Sequence, residues 1–321
     1  MISNLIEKKV LITGGAGFIG ANFVYKFLEL EYKVNIFERK EANLWRIEKV
    51  KDRISIHSPD LTNYDETEKI ISEIKPDIVI HFAAYGAYQR IQQDINLTID
   101  TNLKSSINLI NACNKVGVEC FLNTGTNSEY GIKSAPMKET DILEADNIYA
   151  ITKSAVTLYC QMMARKFNFP VAIIRPFAVY GYFEEKERLV PTIIKACLTN
   201  SRLELSRPDS VRDFIFIEDL ISGYLLLIEN IKNIKGQIFN LGSGEQNKIE
   251  KVVKIIKTAT NSKIEPFYGQ IKTAQTEPEN WVADISKAKS LLNWSPKNTL
   301  EQGLQKNIEW FKENINLYGG N

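Results

Sequence analysis

The stretch Val10-Leu-Ile-Thr13-Gly14-Gly-Ala-Gly17-Phe18-Ile19-Gly20 decides how this chain is read. Four apolar or β-branched residues in a row predict a buried strand. The glycines break it, and Ala21–Leu30 then places Val24, Phe27 and Leu28 at helical spacing. Each glycine has a distinct use in such a turn. Gly14 permits the tight bend, Gly17 lets the backbone approach a pyrophosphate, and Gly20 lets helix and strand pack closely. The helix start at Phe18 and Ile19 offers unpaired N–H groups and a partial positive charge to phosphates. Glycines alone would specify only a turn; between a strand and a helix they point to a dinucleotide site.

The alternation continues outward. Val34–Phe37, Ile54–His57, Asp77–Phe82, Cys120–Thr124 and Val171–Ile174 read as strands. Glu66–Ile74, Thr98–Val116 and Ile148–Phe167 read as helices. Strands spaced by such helices predict an α/β fold, a Rossmann-type doubly wound parallel sheet. After Arg175 the rhythm shortens, punctuated by Pro176, Pro191, Pro208, Pro266, Pro278 and Pro296. The expected division is a dinucleotide-binding domain over 1–175 plus about 212–245. A smaller C-terminal substrate-binding lobe takes 176–211 and 246–321, interleaved with it.

Composition narrows the function. With 321 residues and a net charge of +1, the chain carries no excess of positive charge for nucleic acid or a membrane surface. No apolar run approaches the roughly 18 residues of a membrane span, and Met1–Lys9 lacks a signal-peptide pattern. Cys113, Cys120, Cys160 and Cys197 have no CxxC spacing, and His57 and His81 are the two histidines. Neither a disulfide framework nor a metal site is expected, and the expected compartment is the cytoplasm.

The end of the second strand reports on the ribose 2′ position. It reads Glu38-Arg39-Lys40. A carboxylate at Glu38 accepts from a 2′-hydroxyl and favours NAD. Arg39, assisted by Lys40 and Arg46, would pair with a 2′-phosphate and favour NADP. If Glu38 swings outward, it costs little beside a phosphate, whereas a missing cation costs more. That balance tips the expectation to NADP, with NAD as the alternative. Asp60-Leu61 stands where an acid can take the adenine amino group; a solvated loop acid is the plain alternative.

Tyr149 and Lys153 form a YxxxK pair at the start of a helix, so phenol and ammonium share a face. A tyrosine titrates near pH 10. A neighbouring ammonium and a cationic nicotinamide should lower that value and make Tyr149 an acid/base near neutrality. Such pairs are common by chance on helices. Here Thr124-Gly-Thr126 ends the preceding strand and brings a hydroxyl towards the same pocket.

With these residues in place the chain resembles the extended short-chain dehydrogenase/reductases, the NAD-dependent epimerase/dehydratase family acting on nucleotide sugars. The resemblance runs through Gly14–Gly20, His81–Ala84, Thr126–Gly131, Tyr149/Lys153, Arg175–Gly181, Leu189–Pro191, Arg212–Phe214 and Asn240–Gly244. It implies that Thr126 hydrogen-bonds the sugar O4, Tyr149 exchanges the O4 proton, and Lys153 binds the nicotinamide ribose. Ala83, Ala84, Thr124 and Pro176 would flank the cofactor. Tyr85, Asn127, Leu189, Val190 and Arg212 would meet a nucleotide-diphosphate sugar, with Arg212 on the diphosphate. A structural pair of Arg212 with Asp213 or Glu218 is the alternative. The implied assembly is a homodimer through helices 98–116 and 148–167; Cys113, Met162 and Met163 fit such a contact and the core equally.

The resemblance leaves the reaction open. Dehydratases place an Asp-Glu or Ser-Glu pair after the Thr; this chain has Asn127-Ser128, and Glu129 comes one place late. The first expectation is an NADPH-dependent 4-keto-6-deoxy-sugar reductase, resembling the CDP-abequose synthase-like group. The second is a nucleotide-sugar 4-epimerase with retained NAD, and the third a non-catalytic dinucleotide-binding regulator. Relatives often carry a second diphosphate-binding Arg near Ala274, where this chain offers Lys272 with Glu277 and Glu279 nearby.

Overall fold

The computed structural model describes residues 8–87, 94–270 and 278–318. Met1–Glu7, residues 88–93, residues 319–321 and the Lys272–Glu277 stretch singled out above lie outside the described residues. The chain forms two units. The first comprises Met1–Gly131, Ile142–Arg175 and Tyr224–Phe239; the second comprises Ile132–Asp141, Pro176–Gly223 and Asn240–Asn321.

A seven-stranded sheet organises the first unit. Its strands are β1 (Lys9–Thr13), β2 (Lys33–Phe37), β3 (Ser55–His57), β4 (Ile78–His81), β5 (Cys120–Thr124), β6 (Val171–Pro176) and β7 (Ile238–Leu241). Their spatial order is β7-β6-β5-β4-β1-β2-β3. The pairs β1–β2, β1–β4, β2–β3, β4–β5 and β5–β6 are all parallel. The order reverses between β1 and β4, the switch point where open α/β sheets bind ligands.

Side-chain alternation separates two faces. Leu11, Val79, Phe121 and Ile173 join one core with Ile71, Leu109, Ile110, Val156 and Cys160. These come from α2 (Tyr64–Ile74), α4 (Ser105–Val116) and α5 (Ile148–Phe167). Elsewhere in the unit, Phe23 of α1 (Phe18–Glu29) packs edge-on against Tyr224 and tilted against Phe82. The single helix expected over 98–116 is instead α3 (Ile95–Ile99), a π-turn over Asp100–Lys104, and α4. Asn102 of the wide turn and Ser106 of α4 direct their side chains into a polar network; such turns are frequent at functional sites.

In the second unit, α6 (Leu189–Thr199) packs with Ile249–Thr260, and Leu300–Glu313 packs on the short strand Phe214–Phe216. Asp213 is the knot of this unit. Its carboxylate accepts from Ser243 N (2.6 Å), Ser243 Oγ (2.6 Å), Gly244 N (3.1 Å) and Ala283 N (3.0 Å). No helix among the described residues is long and apolar enough to cross a membrane.

Candidate active site

The glycine loop has the geometry its residues require. Gly14 takes φ +67°, and its N–H donates to Phe37 O at 2.9 Å. A Cβ at Gly20 would lie 2.1 Å from Gly14 O, so only glycine permits this approach. Gly17 caps α1 without a side-chain hydrogen bond, which leaves the helix start to the backbone amides. Phe18 is buried and Ile19 half-buried beside it. A backbone cradle of this kind, closed to any Cβ, fits a dinucleotide pyrophosphate.

Glu38 turns inward, not out to solvent. Its Oε1 accepts from Ala16 N at 3.4 Å, so the end of β2 touches the glycine loop. Burial pushes the Glu38 carboxyl up, against the Ala16 amide, the Arg39 amide and the charges of Arg39 and Arg46. Arg39 and Lys40 are exposed. Arg46 is buried, its Nη1 donating to Ala16 O at 3.4 Å and its guanidinium 4.5 Å from the Trp45 ring centre. It therefore braces the loop. Asp60 accepts from Thr62 N (2.9 Å) and Thr62 Oγ1 (2.7 Å), capping its own loop. Leu61 packs on the core.

Tyr149 and Lys153 sit one turn apart on α5, whose start is capped by Asn147 Oδ1 accepting from Ala150 N at 2.9 Å. The Thr126 hydroxyl neighbours the Tyr149 phenol and favours its ionised form. Thr126 is the N-cap of a short turn over Asn127–Tyr130 and forms a full capping box. Its Oγ1 accepts from Ser128 N at 3.2 Å and donates to Asn127 Oδ1 at 3.4 Å. Nearby, Thr124 Oγ1 shares a 2.9 Å hydrogen bond with the Tyr224 phenol.

In the protein alone, burial and the Glu129 carboxylate raise the Tyr149 phenol, and the Thr126 hydroxyl opposes them. Burial pulls the Lys153 ammonium down to about 8, against the Glu129 charge. Tyr149 alone is therefore a neutral phenol near pH 7.

Two buried networks escaped the sequence reading. In the first, Thr13 Oγ1 meets His81 Nδ1 at 2.7 Å, and His81 Nε2 meets Ser106 Oγ at 2.8 Å. Ser106 donates to Asn102 O at 2.5 Å, Asn102 holds Tyr85 N (2.7 Å), and Asn102 Nδ2 donates to Thr152 Oγ1 (3.2 Å). Ala83 N donates to Thr13 Oγ1 at 3.1 Å. Thus β1, β4, the π-turn and α5 are linked beside Tyr149, while Ala84 stays exposed. Burial pulls His81 down to about 3, assisted by the Lys153 charge, so it stays neutral. The second network centres on Glu129 and Arg175, both essentially inaccessible to solvent. A charged residue at the end of the apolar run Val171–Ile174 was its one visible signal.

The second unit carries the remaining residues. Pro176 ends β6, and Leu189 and Val190 open α6, with Val190 buried. The two carboxylates named above have partners of their own. Asp213 is taken by backbone amides, and Glu218 by the Tyr182 phenol (2.9 Å) and Lys306 (2.6 Å). Arg212 Nη1 donates to Val211 O at 2.6 Å, with its guanidinium 5.9 Å from the Trp281 ring centre. Among the described residues no His, Cys, Asp and Glu group assembles that would hold a metal ion.

Comparison with known proteins agrees with this geometry. The chain is 29% identical to a UDP-glucuronate 4-epimerase of Thermodesulfobacterium geofontis, covering 96% of this chain and 97% of that one. It is 27% identical to dTDP-D-glucose 4,6-dehydratase of Mus musculus, covering 96% and 90%. The UDP-glucuronic acid 4-epimerase of Bacillus cereus, solved with UDP-glucuronic acid and NAD, superposes with a TM-score of 0.84. That structure is 27% identical and covers 95% of this chain and 99% of its own. Residues 10–242 match the NAD dependent epimerase/dehydratase family, to which this chain belongs.

Proposed function

We propose that this chain is a nucleotide-sugar 4-epimerase that keeps NAD bound through its cycle. The observation carrying this reading is Glu38, held inward on the Ala16 amide where a 2′-hydroxyl fits and a 2′-phosphate is repelled. The kinship with 4-epimerases supports it.

The cradle of Gly14, Gly17, Phe18 and Ile19 holds the pyrophosphate, Glu38 the ribose, and Asp60 and Leu61 the adenine side. Ala83, Ala84, Thr124 and Pro176 flank the nicotinamide end. When bound, oxidised nicotinamide supplies a positive charge and accepts hydride from the sugar C4. Tyr149 takes the O4 proton and returns it. Lys153 holds the nicotinamide ribose, and its ammonium favours the Tyr149 phenolate. Thr126 orients O4 with its hydroxyl, which neighbours the Tyr149 phenol. Tyr85, Asn127, Leu189 and Val190 line the sugar and nucleotide, and Arg212 holds the diphosphate. Elimination is disfavoured. Asn127-Ser128 carries no acid, and the Glu129 oxygens are engaged by Thr126 N, Thr157 and Arg175.

The second reading is an NADPH-dependent reductase of a 4-keto-6-deoxy nucleotide sugar. Exposed Arg39 and Lys40 favour it, since they stand ready to meet a 2′-phosphate. In either reading we place the enzyme in the cytoplasm, in keeping with its four unpaired buried cysteines. We also assign a homodimer through the helices of 95–116 and α5. Ile95 (61%), Ile151 (50%) and Leu158 (59%) are exposed apolar side chains there.

The test is the nucleotide carried by the purified protein. Denaturation should release about one NAD per chain. Protein that releases none and oxidises added NADPH with a 4-keto sugar overturns the epimerase reading. Tyr149→Phe should keep the NAD and lose about 10²–10⁴ in kcat.

A further inference from the structure

We propose that Glu129 is a positioning residue whose buried carboxylate locks Thr126 into line with Tyr149 by tying three elements together. Glu129 is fully buried, and each of its oxygens is committed. Oε1 accepts from Thr126 N at 2.9 Å and closes the capping box. Oε2 accepts from Thr157 Oγ1 of α5 (2.9 Å) and from Arg175 Nε (3.0 Å) and Nη2 (2.7 Å) of β6. The Arg175 guanidinium also lies 4.4 Å from the Tyr130 ring centre. One carboxylate thus joins the turn carrying Thr126, the helix carrying Tyr149 and Lys153, and the end of β6. A Cβ at Gly125 would lie 2.4 Å from Glu129 Oε1, so the chain leaves room for the carboxylate beside Thr126.

The lock has an electrostatic side. The groups facing Tyr149 are Glu129 and Thr126; those facing Lys153 are Glu129, Cys160 and His81. Arg175 faces Glu129, and Tyr130 faces Arg175 in turn. The Glu129 charge therefore holds protons on both Tyr149 and Lys153 in the resting enzyme. A merely structural carboxylate would move stability and leave the Tyr149 titration where it was.

The proposal rests on the acid/base role of Tyr149, and its test separates the two. Tyrosine-labelled protein with NAD is titrated by NMR, the Tyr149 resonance being identified by its loss in Tyr149→Phe. In Glu129→Gln the phenol midpoint should fall by about one pH unit, the effect of removing one nearby like charge. The kcat should fall about tenfold with KM little changed, as when a group aligned only in the transition state is loosened. Where Glu129→Gln does not fold, Glu129→Leu/Arg175→Met replaces the ion pair with apolar volume, a swap often tolerated. It carries the same expected fall in kcat, with a smaller shift of the midpoint because the opposite charge of Arg175 leaves with that of Glu129. A folded variant of either kind with the wild-type midpoint and kcat overturns the proposal. Wild-type protein inactive on nucleotide sugars would sink the proposed reaction, while the titration would still judge Glu129.

Discussion

The Glu38 carboxylate accepts a hydrogen bond from the Ala16 amide across 3.4 Å, joining the end of β2 to the glycine loop. The acid is therefore aimed before any ligand arrives. Glu38→Ala should weaken NAD about tenfold, the worth of a lost charge-assisted hydrogen bond. It should improve NADP in the same measurement, since the repelling charge is gone and Arg39 remains. Titration calorimetry with both nucleotides reads this directly, and an unchanged NAD/NADP ratio would contradict it.

Lys153 is buried, and its ammonium titrates near 8 instead of near 10.5. The unfolded chain therefore binds more protons between those values. Stability gains from this site as pH rises through that window, and the full burial cost is present below it. Lys153→Met should stabilise the protein at pH 7 by about 2 kcal/mol while abolishing turnover. Denaturant unfolding of both proteins at pH 7 and pH 10 should show the difference shrinking at the higher pH.

His81 carries the same kind of liability in a lower pH window. Buried between Thr13 and Ser106, it titrates near 3 instead of 6.5. Its neutral form contributes stability above 6.5, and that contribution is lost progressively as pH falls towards 3. Thermal melts from pH 7 to pH 4 should fall less steeply in His81→Gln than in wild type. Between pH 7 and pH 9 the two curves should run parallel.

Asp213 satisfies Ser243, Gly244 and Ala283 in one stroke. Asp213→Ala orphans several buried donors and should cost about 3 kcal/mol or more. Asp213→Asn retains an acceptor but clashes donor to donor, and should fall between. Urea unfolding supplies the order. A neutral Asp213→Ala would mean that solvent reaches these amides.

Much of the frame was legible because its signals are local. The strand–glycine–helix order, the sheet rhythm and the Tyr149/Lys153 spacing all lie within one turn or one loop. What escaped depends on pairs far apart in the chain. Arg175 and Glu129 are 46 residues apart, and Thr13 and His81 are 68 apart. No local pattern marks such partners. The π-turn at Asp100–Lys104 was hidden for a related reason: an apolar periodicity continues through it, and only the distant contacts of Asn102 and Ser106 reveal it. The burial of Tyr149, which raises its phenol in the protein alone, is likewise invisible in a sequence that shows only a neighbouring lysine.

The sheet order described above also sets a schedule for synthesis. Strands β1 to β6 are complete once residue 176 has left the ribosome, yet β7, their neighbour at the β6 edge, is not made until residues 238–241. For more than 60 residues of translation, the outer edge of β6 presents unpaired backbone groups along an apolar strand. A nascent chain stalled in that interval is the form of this protein most exposed to strand-to-strand aggregation, and the one for which a chaperone matters most.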